Sequence, residues 1–231
     1  MYFSRIKMSH KARNDKQFWE QTKDEYSLCW LFKQLFMKKE NSETRFIFRQ
    51  EFGSCYPSFV SVSESIPGDE SENWHIFSEV YNPSPECGDI YNFSLRLCPV
   101  IMQRESHFLI RYDFVQDALC RRKKNLFSKI EFCDSSDVIK DAVAEWLMKN
   151  SDRCGFLPLE GSLRADGFMQ HKSCISDGIR IPAYNTVEIS GLLKVNNTEK
   201  LRKTLFDGIG EYRSLGCGMI FVKDLTPQVL V

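Results

Sequence analysis

A chain of 231 residues suits one large domain or two small ones, and a hydrophobic content of 42% is enough for a packed core. Lysine plus arginine and aspartate plus glutamate each number 31, so the chain lacks the overall basic excess of an ordinary nucleic-acid binder; any such binding must rest on local clusters. The nine cysteines show no CxxC spacing and no nearby histidine pair, which excludes a familiar zinc site. An odd cysteine count without a signal segment fits reduced thiols in a cytoplasm, and no apolar run reaches the length of a membrane span.

In chain order, residues 2–8 alternate loosely and read as an opening strand. Residues 9–23 are polar and basic and read as a solvated loop. A helix is expected over 24–37, because Leu28, Leu31, Phe32 and Leu35 recur at i, i+3, i+4 and i+7. Tyr26, Cys29 and Lys33 share a different face of it. Residues 45–51 and 58–64 read as strands joined by a turn through Gly53 and Pro57, and 74–80 and 90–97 as two more.

The second half opens with a linking region from 101 to 129, in which 107–114 alternates well enough for a strand. Its densest basic run is Arg121-Arg122-Lys123-Lys124, followed by Lys129; such a run is either a solvated surface or a phosphate contact. A helix capped by Ser136 or Asp137 runs to about 150. Residues 157–185 are rich in turn formers, with Arg164, His171, Lys172 and Arg180 spread along them. Residues 187–195 alternate as a central strand, interrupted at Gly191. The last helix takes Thr198 as its N-cap and places Leu201, Leu205 and Phe206 on one face.

Between that helix and a buried-looking strand at 219–222 lie Gly208, Gly210, Gly216 and Gly218, with Arg213 among them. Glycine serves where φ is positive or another molecule comes close. The stretch is a tight turn, or else a set of exposed amides and one cation that cradle a phosphate backbone. No Gly-Lys-Ser/Thr follows, so it is not a P-loop, and the order helix, loop, strand excludes the dinucleotide fingerprint.

Four stretches in order carry a family resemblance. GIGEYRSLGCGMIFV at 208–222 resembles the C-terminal glycine loop of the CasE family, the CRISPR repeat-processing endoribonucleases of the type I-E Cascade complex. MYFSRI at 1–6, RFIFR at 45–49 and FSLRLCPV at 93–100 are similar to three further family segments, with Cys98 where asparagine is usual. The resemblance implies an α+β fold of two tandem ferredoxin-like (RRM-like) domains with antiparallel sheets, divided into residues 1–100 and 101–231. It implies a cytoplasmic protein that binds CRISPR repeat or guide RNA beside other Cascade-type subunits, with no membrane part. It also implies metal-independent cleavage at the base of the repeat hairpin by 2′-hydroxyl attack, with no cofactor.

The family's helical Tyr-x-x-His pair, whose histidine is the main catalytic residue, stands here as Tyr26-Ser27-Leu28-Cys29. Cys29 is either simple packing or a thiolate favoured by Lys33. His10, just after the first strand, is the histidine best placed to move in; His75, His107 and His171 are less well placed. The residues implied in RNA binding are Arg121, Arg122, Lys123, Lys124, Arg164, Lys172, Arg180, Gly208, Gly210, Arg213, Gly216 and Gly218. The first reading is therefore a repeat-specific endoribonuclease. The second is a catalytically silent subunit that holds the guide RNA hairpin. A third, outside the family, is an ordinary ferredoxin-like interaction module, although the aromatic RNA-stacking motif of an RRM is not evident.

Overall fold

The computed structural model describes residues 1–22, 24–37, 44–51, 55–105, 108–126, 135–176 and 179–226. The chain opens with β1 (Tyr2–Met8), then two short helices, α1 (His10–Arg13) and α2 (Lys16–Gln21). The sequence reading took this segment for a solvated loop. It is helical because Ser9 Oγ accepts from the Ala12 amide and Asp15 from the Gln17 amide, while Phe18 is buried. Next comes α3 (Glu25–Gln34), capped by the Asp24 carboxylate on the Ser27 amide at 2.8 Å. The strands β2 (Phe46–Glu51), β3 (Ser58–Ser63) and β4 (Trp74–Val80) complete the first unit.

These strands form one antiparallel sheet in the order β2-β3-β1-β4. That is the ferredoxin-like arrangement, with a loop rather than a second helix between β3 and β4. The apolar stripe of α3 covers one face of it. Phe32 stacks on Phe59 at 4.4 Å between ring centroids and lies 4.6 Å from Phe48. Met8, Leu28, Cys29 and Trp74 fill in around them.

The second unit begins at β5 (Ile90–Leu97), followed by the hairpin β6 (Val100–Glu105) and β7 (Phe108–Asp113). Two helices follow, α4 (Phe114–Leu126) and α5 (Ser135–Cys154). Then come β8 (Phe156–Pro158), β9 (Arg164–His171), a small hairpin of β10 (Cys174–Ser176) and β11 (Ile179–Ile181), and the long β12 (Tyr184–Val195). The chain closes with α6 (Thr198–Asp207), a single 3-10 turn (Arg213–Leu215) and β13 (Ile220–Val222). The cap of α6 is Asn197, not Thr198; its side chain accepts from the Lys200 amide at 3.0 Å.

The sheet order is β13-β5-β12-β8, with β9 also on β12, and every pairing is antiparallel. Two tandem ferredoxin-like units are therefore present. The boundary expected at 100 needs correction: Ile90–Leu97 pairs with β12 and β13 in the second sheet, so the first unit ends after β4.

The two units share a core. Phe3, Ile47, Val60, Val62 and Tyr81 from the first cluster with Met219 of the second. An ionic knot lies beside that core. Arg49 and Arg96, 13% and 8% exposed, both grip the Glu188 carboxylate, and Arg96 also donates to the Gln50 carbonyl at 2.9 Å. The knot joins β2, β5 and β12.

Candidate RNA-processing site

The hinge between α6 and β13 is folded inward. All four of its glycines have positive φ, between 69° and 82°. A Cβ on Gly208 would fall 2.0 Å from Ile47 Cδ1, and one on Gly218 would fall 2.2 Å from the Ile209 carbonyl oxygen. Side chains at these two positions would force the hinge away from the first sheet or apart from itself.

The amides of the hinge are largely used within the protein. Gly208 donates to Thr204 O at 2.8 Å, Gly216 to Arg213 O at 3.2 Å and Gly218 to Arg96 O at 2.8 Å. Arg213 Nη1 donates to the Asp207 carbonyl at 2.9 Å, closing the end of α6. Sequence reasoning expected these glycines to offer amides to a phosphate. For Gly208, Gly216 and Gly218 the amides are instead taken up by carbonyls of the second unit itself. Tyr212 stands at the start of the 3-10 turn in the left-handed region, φ 56° and ψ 30°.

This hinge meets the first unit where the sequence placed the chemistry. The 3-10 turn touches both β2 and α3, and α3 also touches β10 of the small hairpin. The helix bearing Tyr26, the glycine hinge and the hairpin carrying Arg180 thus converge. Tyr26 is half-buried on the first turn of α3. Cys29 is 1% exposed and sits among Leu28, Phe32 and Phe48 in the core. That is the packing environment of the two weighed for it, and it holds no disulfide. Lys33 is half-buried one turn on. Burial pushes its ammonium pKa below the ordinary lysine value, and the nearby Cys29 sulfur opposes the shift.

The other candidates are more scattered. His10 is exposed at the start of α1, with Nδ1 3.2 Å from Asn14 Nδ2. His75 is exposed on β4. Arg121 and Arg122 ride on the last turns of α4; Arg121 is 74% exposed and pairs with Asp117 one turn back. The side chains of Lys123, Lys124 and Arg180, and all of His107 and Lys129, lie outside the described residues. Arg164 and Lys172 are exposed at β9 and just beyond it. Among the described residues no group of three or more His, Cys, Asp or Glu side chains gathers as a metal site. Among them, too, no helix is long and apolar enough to cross a membrane.

Sequence reasoning missed the Arg49–Glu188–Arg96 knot behind the hinge. Both arginines stand inside the resembling segments, but only the fold brings them to one glutamate 92 residues further on from Arg96.

Two antiparallel ferredoxin-like sheets, locked by a glycine hinge against a tyrosine-bearing helix, define a class of tandem α+β proteins. The model of the CRISPR associated protein family matches residues 1–224. The chain belongs to that family. Among solved structures it is similar to Thermus thermophilus Cse3 bound to an RNA representing a pre-cleavage complex, with TM-score 0.67, 17% identity, and 96% of this chain and 98% of that one covered. It is similar also to Cas6e from Escherichia coli K-12, with TM-score 0.55, 17% identity and coverage of 96% and 98%. A chain of a CRISPR RNA-guided surveillance complex matches with TM-score 0.56, 13% identity and coverage of 96% and 98%. No curated protein matches the chain.

Proposed function

We propose that this protein binds the hairpin of a CRISPR repeat RNA and cuts the precursor at the hairpin's base without a metal. The observation that carries the reading is the convergence of α3, the glycine hinge and the β10–β11 hairpin in a chain of this family. A Cse3 solved with RNA in a pre-cleavage complex supports the choice of ligand. In the reaction the 2′-hydroxyl attacks the adjacent phosphorus. The new O2′–P bond forms as the P–O5′ bond breaks, leaving a 2′,3′-cyclic phosphate and a 5′-hydroxyl. One proton must leave O2′ and one must reach O5′.

Cys29 is enclosed by the core, so Tyr26 and Lys33 are the groups of α3 assigned to this work. A partly desolvated lysine holds less tightly to its proton and can act as base or as phosphate cation. After cutting, the protein keeps the hairpin and joins a cytoplasmic surveillance complex. Incubation of the repeat RNA with pure protein in EDTA tests the reading. Cleavage with a cyclic-phosphate end is expected. Tight binding without cleavage would make the protein a silent hairpin holder, and absence of binding would reject both forms.

A further inference from the structure

Four side chains from separate parts of the second unit form a continuous ladder. The His171 ring lies parallel to Tyr184, 4.4 Å between centroids and 7° between planes. Tyr184 stacks on Tyr212 at 5.0 Å and 22°. The Arg111 guanidinium covers Tyr212 at 4.8 Å, and its Nη2 donates to the Ala183 carbonyl at 3.2 Å. His171 Nε2 lies 2.9 Å from Thr186 Oγ1, which holds the ring in plane. The ladder's two tyrosines pack with Cys98, Val100 and Cys217. Tyr212, in left-handed backbone, is thus held through its ring by both Tyr184 and Arg111.

A cavity of about 600 Å³ opens beside the ladder, lined by His171, Tyr184, Gln170, Asn185, Lys172 and Arg111 among others. Asn185 Nδ2 donates to the Asp113 carboxylate at 2.7 Å, so its amide is oriented in advance. The lining combines aromatic faces, two amides, two cations and the Asp113 carboxylate, which is engaged by Asn185. An unpaired nucleotide presents the complement: a π-face, a hydrogen-bonding edge and a phosphate. The location also fits. His171 ends β9 and Tyr184 begins β12, so the pocket sits at the root of the β10–β11 hairpin that touches α3. Tyr212 carries the ladder into the hinge itself.

We propose that this cavity is a stacking pocket for one unpaired nucleobase of the RNA strand flanking the repeat stem, with the base against the His171 end of the ladder and its phosphate facing Lys172. The proposal rests on the repeat-RNA reading above and adds a contact outside the duplex. Single-base stacking on aromatic side chains corresponds to an affinity gain of roughly 5- to 150-fold.

The test uses repeat RNA with a 2′-deoxy nucleotide at the cut site, made with and without its single-stranded flanks. Each is titrated by fluorescence anisotropy against wild type, His171→Ala, His171→Phe and Lys172→Met. Wild type is expected to bind the flanked RNA more tightly than the bare stem, by a factor in that range. His171→Ala and Lys172→Met should lose most of this gain and His171→Phe should retain it, while wild type and the two His171 variants should hold the bare stem equally. If wild type binds the bare stem but gains nothing from the flanks, the pocket is rejected and the repeat-RNA reading stands. Equal weakening of both RNAs in His171→Ala likewise rejects it. If wild type binds neither RNA, both proposals fall together.

Discussion

At the scale of single residues, α3 divides its polar face into an accessible end and an enclosed one. Tyr26 is half-open and Cys29 is sealed under Phe32 and Phe48. Cys29→Ala should therefore leave cleavage unchanged while costing about 1 kcal/mol of stability by denaturant titration. Lys33→Met should slow cleavage. Because burial lowers the Lys33 pKa, its neutral amine grows as pH rises toward that value; wild-type cleavage should climb across the alkaline limb and the variant should flatten it. A single-turnover pH profile checks both.

Cys98 offers a separate pH handle. Burial pushes its thiol pKa up to about 12 from 9.0, so the folded protein holds a proton that the unfolded chain releases. Its contribution to stability is fully present below pH 9 and is lost as pH climbs from there toward 12. Cys98→Ala should remove that alkaline slope from the unfolding free energy.

Among elements, the hinge is the one most completely dictated by backbone geometry. Gly208 and Gly218 combine left-handed φ with no room for a Cβ. Gly218→Ala should cost about 2 kcal/mol or more by chemical denaturation, and it should loosen the hinge from α3 and so slow cleavage as well. The glycine spacing made this element conspicuous in the sequence. Its purpose was less legible, because an amide offered to a ligand and an amide turned inward to Arg96 look the same in one dimension. The polar segment at 9–23 shows the opposite failure. Its helices depend on two caps and one buried ring, Phe18, which composition alone does not weigh. The helix under Arg121 was missed for a similar reason: its charged last turns mask the periodicity of its start.

Across the whole molecule, the two similar units do not hang independently. Glu188 binds a guanidinium from each, so it is both a local partner and a tie between domains. Glu188→Gln leaves Arg49 and Arg96 crowded together with weakened compensation, and should cost roughly 3 kcal/mol in thermal or denaturant unfolding. The paired sheet orders were legible only as an implication of resemblance, because strand patterns do not name their partners. That is why Ile90–Leu97 was read with the strands before it, although it pairs with strands 90 to 129 residues later. The His171–Tyr184–Tyr212 ladder left no local pattern at all; it exists only once three strand and turn ends meet.

The central claim is that the exposed end of α3 and the glycine hinge form one reaction centre, with Tyr26 acting on the reacting phosphate rather than holding the RNA. Single-turnover cleavage and filter binding of the repeat RNA by wild type and Tyr26→Phe, in EDTA, address it most directly. Unchanged affinity with cleavage slowed about 100-fold or more is the predicted result. Equal cleavage rates, or a loss of binding that accounts for the whole effect, would contradict it.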